Sequence, residues 1–252
     1  MDFGLTEEQQ ALIASVTKFA EREFSAQAFA RDGFAWDSLK TFAENDLTGL
    51  TLPVELGGQG ASLLDAVLVM QAITKVCPHS ADAFQAANFG AIRQIAHFGS
   101  PRVHEEILPI LLRGEGLVSA GMSEPEAGTA LTDLTTRAEY DGDEVVINGQ
   151  KCWNSHGPDA THTVVWVRFG PRTRDIGAVV VPYGTPGFTK GKTETYMSGE
   201  HHCPLYFDNV RVPKEYVLVD SGAISKMLSI FGVERIGNAS RSIALAESAY
   251  EI

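Results

Sequence analysis

The hydrophobic period of this chain changes twice, and few architectures accommodate that. Before residue 115 apolar residues recur at helical spacing, as in Leu12, Ile13, Val16, Phe19, Ala20 and Phe24. After Gly116 the runs become alternating and β-branched: 117–122, 144–147, 163–167, 178–181, 204–207 and 210–212. From Gly222 the helical period returns through Met227, Ile230, Val233, Ile236, Ile243 and Ala244. A period of 3.6 buries one stripe of a helix, and a period of two buries one face of a strand. The chain is therefore expected to be α+β and multidomain. It divides into an N-terminal helical bundle (1–115), a middle antiparallel β barrel or sandwich (116–221) and the start of a C-terminal helical bundle (222–252). Closely spaced strands without intervening helices argue against βαβ units.

Local signals refine this. Thr6-Glu7-Glu8-Gln9 reads as a capping box. Asp37–Asn45 predicts a short helix with Leu39 and Phe42 inward, and Ser62 opens another with Leu64, Val67, Leu68 and Ile73 buried. Further helices are predicted over Ser80–Phe98 and Pro101–Leu112, the proline suiting a first helical position. Asp141-Gly142 and Asn148-Gly149 read as turn dipeptides. Gly57-Gly58-Gln59-Gly60 lacks the lysine of a phosphate-binding loop and reads as a helix-breaking turn. The helical pattern reaches Ile252 without a stop signal, which suggests a fragment of a longer protein.

A formal net charge of −12 argues against nucleic acid, which needs a basic footprint. No run of eighteen apolar residues predicts a membrane span, and Met1–Thr6 shows no secretion signal. Three scattered cysteines, Cys77, Cys152 and Cys203, suit a reducing compartment, so a cytoplasmic location is expected.

Two segments carry the chemistry: Gly121-Met122-Ser123-Glu124-Pro125-Glu126-Ala127-Gly128-Thr129 and Lys151-Cys152-Trp153-Asn154-Ser155-His156-Gly157. An indole supplies a plate for a planar ligand, and short hydroxyls supply donors for its rim. The pair reads as two walls of a flavin pocket. Each residue also has an ordinary reading: Ser123 and Thr129 satisfying their own backbone, Trp153 sitting in a strand core. Glu234 has no basic neighbour at i±3 or i±4 on its helix. It is either a desolvated general base or a solvated surface acid. Arg235 either holds an anion or is a surface charge. His201-His202-Cys203 is rejected as a metal site, since adjacent strand residues point to opposite faces.

The order of these segments resembles the acyl-CoA dehydrogenase family along essentially the whole chain. The residues that carry the resemblance are Phe3–Gln9, Leu56–Gly60, Phe98–Ser100, Leu108-Pro109, Gly121–Thr129, Asn148–Trp153, Phe207–Pro213 and Glu234–Ile236. The resemblance implies an FAD-dependent oxidoreductase of fatty acid metabolism that takes an acyl-CoA or related thioester to its 2,3-enoyl product. A glutamate removes the α proton, and the β hydride goes to flavin N5. Met122 and Ser123 are then expected at the flavin edge, Trp153 against the ring, and Ser155 near N5, with Asn154 beside them in the same segment. Thr129 is expected by the pyrophosphate arm of CoA and near the cofactor, and Arg235 near bound CoA. Glu234 matches the base of the isovaleryl- and long-chain-acyl branch; in most members the base lies in a segment beyond Ile252. An electron-transferring flavoprotein or another acceptor, and a homo-oligomer, complete the expectation.

The chain also departs from the family pattern. Gly128-Thr129-Ala130 replaces Gly-Ser-Asp, Glu200 replaces a serine, and Asn154 replaces an apolar residue. Two alternatives follow: a flavin oxidase or monooxygenase on a substrate other than acyl-CoA, and a non-catalytic partner subunit of a composite flavin site.

Overall fold

A computed structural model describes residues 4–28 and 32–251. Met1–Phe3, which opens the first motif, and Ile252 lie outside them. Seven helices come first: α1 (Glu7–Phe24), α2 (Trp36–Glu44), α3 (Leu63–Val76), α4 (Pro78–Asn88), α5 (Ile92–Phe98), α6 (Pro101–Glu106) and α7 (Leu108–Leu112). Nine strands follow: β1 (Val118–Gly121), β2 (Arg137–Asp141), β3 (Glu144–Ser155), β4 (His162–Arg168), β5 (Ile176–Pro182), β6 (Phe188–Lys190), β7 (Glu194–Thr195), β8 (His201–Pro213) and β9 (Val217–Val219). One long helix, α8 (Ala223–Glu251), returns across the helical layer. No described helix is long and apolar enough to cross a membrane.

The predicted caps form. The Thr6 hydroxyl accepts from Gln9 N while the Gln9 side chain accepts from Thr6 N, and the Ser62 hydroxyl accepts from Asp65 N. The predicted helix over 80–98 is two helices, α4 and α5, parted at Phe89–Ala91. The helix predicted over 101–112 breaks at Ile107, just before the Leu108-Pro109 step. Proline lacks the amide that would continue the ladder, and it disfavours helical backbone at the residue before it. On α3, Leu68 and Ile73 are buried as expected, but Leu64 is 50% exposed. On α8, Met227, Ile230 and Ala244 are buried, whereas Ile236 and Ile243 face outward.

The layer order is the predicted one, with a refined sheet. The strands run β6-β8-β3-β2-β4-β5-β9 in an open path, with β1 on β4 and β7 on β8. The β1–β4 and β2–β4 pairs are parallel, so the sheet is mixed rather than wholly antiparallel. Asp141 pairs with Glu144, so the β2–β3 hairpin turns through Gly142-Asp143, one residue on from the predicted dipeptide, with Gly142 left-handed. Asn148-Gly149 makes no turn: it sits inside β3 at a break in the register with β8. A Cβ at Gly149 would lie 2.6 Å from Thr136 Oγ1, so the glycine permits close backbone approach there. The sheet core is apolar, with Val164, Val165, Trp166, Val179 and Val180 sealed from solvent.

Candidate active site

At one end of β3 the backbone leaves the pleat. Trp153 (φ 55°) and His156 (φ 58°) are both left-handed, which is uncommon for such residues. The register with β8 shifts between Lys151 and Asn154. A bulge of this kind re-aims side chains. Here it turns Trp153 outward, leaving it 64% exposed, and drives Asn154 inward to 1%. The indole is backed by a stack: His202 lies 5.4 Å from it, and Tyr196 lies 4.1 Å from His202.

A buried ion pair anchors the neighbouring turn. Lys151 Nζ donates to Glu124 Oε1 at 2.7 Å and to the Met122 carbonyl at 3.2 Å. Glu124 also accepts from the backbone amides of Thr135 (2.6 Å) and Thr136 (3.0 Å). Burial raises the Glu124 pKa, but the Lys151 charge and these hydrogen bonds outweigh it and bring it down to about 2. The Cys152 amide donates to the Ser123 carbonyl at 2.9 Å, which locks the two chemistry-bearing segments side by side.

The result is a cleft of about 300 Å³ between the sheet and two helices. Met122, Ser123, Trp153 and Ser155 line the sheet wall. Asp82 and Gln85 of α4, with Phe231, Glu234, Asn238 and Arg241 of α8, line the helical wall. The last four recur at i, i+3, i+7 and i+10, one face of a helix. Glu234 is half-buried, and burial pushes its pKa up to about 7 against the opposing charge of Arg235. Glu234 is thus partly withdrawn from solvent, not a fully exposed surface acid.

Three expected site residues stand apart from this cleft. Asn154 is turned into the protein, and its Nδ2 donates to the Ala120 carbonyl at 2.8 Å, so it braces β1 instead of meeting a ligand. Arg235 is exposed, with its guanidinium 5.9 Å from the Phe231 ring centre. Thr129 is exposed on the loop after Ala127. Of the adjacent histidines, His201 lies 3.3 Å from Asp32, while His202 is buried in the Trp153 stack.

The sequence reading missed a charged group at the cleft. Asp82 bonds Arg241 through Oδ1 and lies 3.3 Å from His156 Nε2 through Oδ2. Arg241 lies 3.7 Å from Glu200. Glu200, which replaces a serine of the family pattern, is thus paired with a cation. Nothing local in the sequence joins Asp82 to Arg241.

Residues 6–115 match the acyl-CoA dehydrogenase N-terminal domain, and residues 119–210 match the acyl-CoA dehydrogenase middle domain. Mitochondrial isovaleryl-CoA dehydrogenase of Pongo abelii is 30% identical over 97% of this chain and 61% of its own length. Cyclohex-1-ene-1-carbonyl-CoA dehydrogenase of Geobacter metallireducens is 32% identical over 98% of this chain and 67% of its own. The solved structure of butyryl-CoA dehydrogenase from Megasphaera elsdenii superposes with a TM-score of 0.88 at 28% identity, over 99% of this chain and 68% of that one. The chain spans 61–66% of the length of the first three curated relatives it matches. With both domain profiles matched in order across 6–210, the chain belongs to the acyl-CoA dehydrogenase family.

Proposed function

We propose that this chain supplies the flavin wall and the base of an FAD-dependent dehydrogenase. The substrate is an acyl-CoA or related thioester, and the product is its 2,3-enoyl thioester. The observation that carries the reading is that Glu234 lines the same cleft as Trp153, Met122, Ser123 and Ser155. A large, solvent-facing indole on a left-handed backbone is costly for the free protein and fits a flat ligand that would cover it.

Trp153 holds the ring face, and Met122, Ser123 and Ser155 hold its edge. Thr129, on the exposed loop beyond, is assigned to the pyrophosphate-bearing part of the ligands, and Arg235 to the outer end of CoA. FAD, when bound, supplies the acceptor for the β hydride. Glu234 takes the α proton onto its carboxylate, so two electrons leave with the β hydrogen and a C2–C3 double bond remains. Burial raises the basicity of Glu234 toward that of its target, and closing the cleft over a substrate would raise it further. The reading includes an electron-transferring flavoprotein or another acceptor downstream, a homo-oligomeric assembly and a cytoplasmic location.

The test is anaerobic mixing of the FAD-loaded protein with short, branched and long acyl-CoA thioesters. Bleaching of the flavin is expected with at least one of them. Glu234→Gln should slow bleaching by about 100- to 10,000-fold while leaving thioester binding in place. No bleaching by any thioester sinks the reading, and an unchanged rate in the variant moves the base elsewhere.

A further inference from the structure

The helical wall of the cleft is mixed in character. Its apolar side chains are Phe231 and Ala86. The rest of that wall is polar, with Asp82, Gln85, Glu234, Asn238 and, two helical turns beyond Glu234, Arg241; His156 and Glu200 join them from outside the helices. The Asp82 and Arg241 side chains are only 7% and 24% exposed, so this is not a solvated rim. Gln85 is buried; its Nε2 donates to the Glu234 carbonyl at 3.3 Å, and its Oε1 has no hydrogen-bond partner among the described residues.

A hydrocarbon tail entering here would strip water from the Arg241–Glu200 pair and return nothing. Desolvating polar groups without replacement bonds is unfavourable. The charge balance also decides what kind of polar group fits. Two carboxylates, Asp82 and Glu200, face one guanidinium, and Arg241 already serves both. Glu234 adds a third acid to the same cleft. The surplus is therefore of acceptors, and an anionic substituent would meet acid on several sides.

We propose that the acyl group bears a hydrogen-bond-donating substituent, a hydroxyl or an ammonium, at the end away from the thioester. The Asp82–Glu200 side of the cleft receives it, with Gln85 as the neighbouring amide. This rests on the cleft being the acyl site, as argued above. Arg241 is then a positioning residue: it holds both carboxylates in place. His156, in its left-handed turn, fixes the other oxygen of Asp82. The specificity of the enzyme would thus lie in the α4–α8 contact, away from the flavin wall.

The experiment compares S-alkyl thioethers of CoA, which have no carbonyl and cannot be oxidised, in four-carbon and six-carbon lengths. Each length is made with a terminal methyl, hydroxyl, ammonium or carboxylate. Dissociation constants are measured by titration calorimetry on the FAD-loaded protein and on Glu200→Gln and Asp82→Asn. Tighter binding of the hydroxyl or ammonium form than of the methyl form, by about tenfold or more, is expected, and the two donor arms identify which source it is. That ratio should fall in both variants; Glu200→Gln is the milder change should Asp82→Asn fail to fold. Methyl forms binding as well as donor forms, or carboxylate forms binding best, overturns the proposal while flavin bleaching by plain acyl-CoA leaves the dehydrogenase reading standing. Failure of every thioether to bind, together with no bleaching, overturns both.

Discussion

Lys151 reaches Glu124 across 2.7 Å, and both side chains are sealed from solvent, at 0% and 3% exposure. The pair holds the Met122-Ser123 turn against β3, so it shapes the cleft without lining it. Lys151→Met would strand a buried carboxylate and should cost about 3–5 kcal/mol in urea unfolding. The double variant Lys151→Met, Glu124→Leu should recover most of that loss. The pair also sets an acid limit. Glu124 has its pKa depressed to about 2, so its contribution is complete above the ordinary carboxylate pKa and fades as pH falls toward 2. The stability gap between wild type and Glu124→Gln should close over that window.

Glu234 should produce the opposite pH signature. Burial favours its protonated form up to about pH 7. The rate of flavin reduction under limiting thioester should therefore rise through pH 7 and level off above it. Folding should respond with the reverse sign. Ionising Glu234 between its ordinary pKa and 7 weakens the fold, so Glu234→Gln should be more stable than wild type at pH 8 by roughly 1–3 kcal/mol. At pH 4 the two should match. A flat difference across this range in thermal melts would contradict the burial argument.

Trp153 offers a way to separate cofactor binding from stability. Its side chain is exposed and its backbone is left-handed. Trp153→Gly removes roughly 1 kcal/mol of backbone strain and loses the stack on His202. The apo protein should melt within a few degrees of wild type. FAD affinity, measured by quenching of flavin fluorescence, should fall by about tenfold or more.

Gly149 carries the bulge that lets β3 pass Thr136. A Cβ there would come within 2.7 Å of the Thr136 Cα, and the local φ of 145° suits only glycine. Gly149→Ala should cost roughly 2–4 kcal/mol, combining backbone strain with overpacking. Chemical denaturation should show the loss as a lower midpoint with an unchanged slope.

Much of this molecule was legible in its residues because the signals are local. The Thr6 and Ser62 caps, the switch of period after Gly116 and the lack of a basic partner for Glu234 all act within one helical turn or one strand. What escaped depended on distant neighbours. Asn148-Gly149 has the composition of a hairpin turn, yet strand pairing with β8 absorbed it. Asn154 was expected at the site because it lies between Trp153 and Ser155 in the chemistry-bearing segment, and only the bulge beside Trp153 turns it inward. Asp82 and Arg241 lie 159 residues apart and meet only through the packing of α4 on α8.

That packing bears on how the protein is made. On the ribosome, α4 and the whole sheet emerge before α8, which carries Glu234 and Arg241. Until then Asp82 has neither the Arg241 guanidinium nor the cover of α8, and the sheet wall faces water. The cleft is thus walled on both sides only once α8 has packed, and a nascent chain released before α8 would have the sheet wall without Glu234 and Arg241.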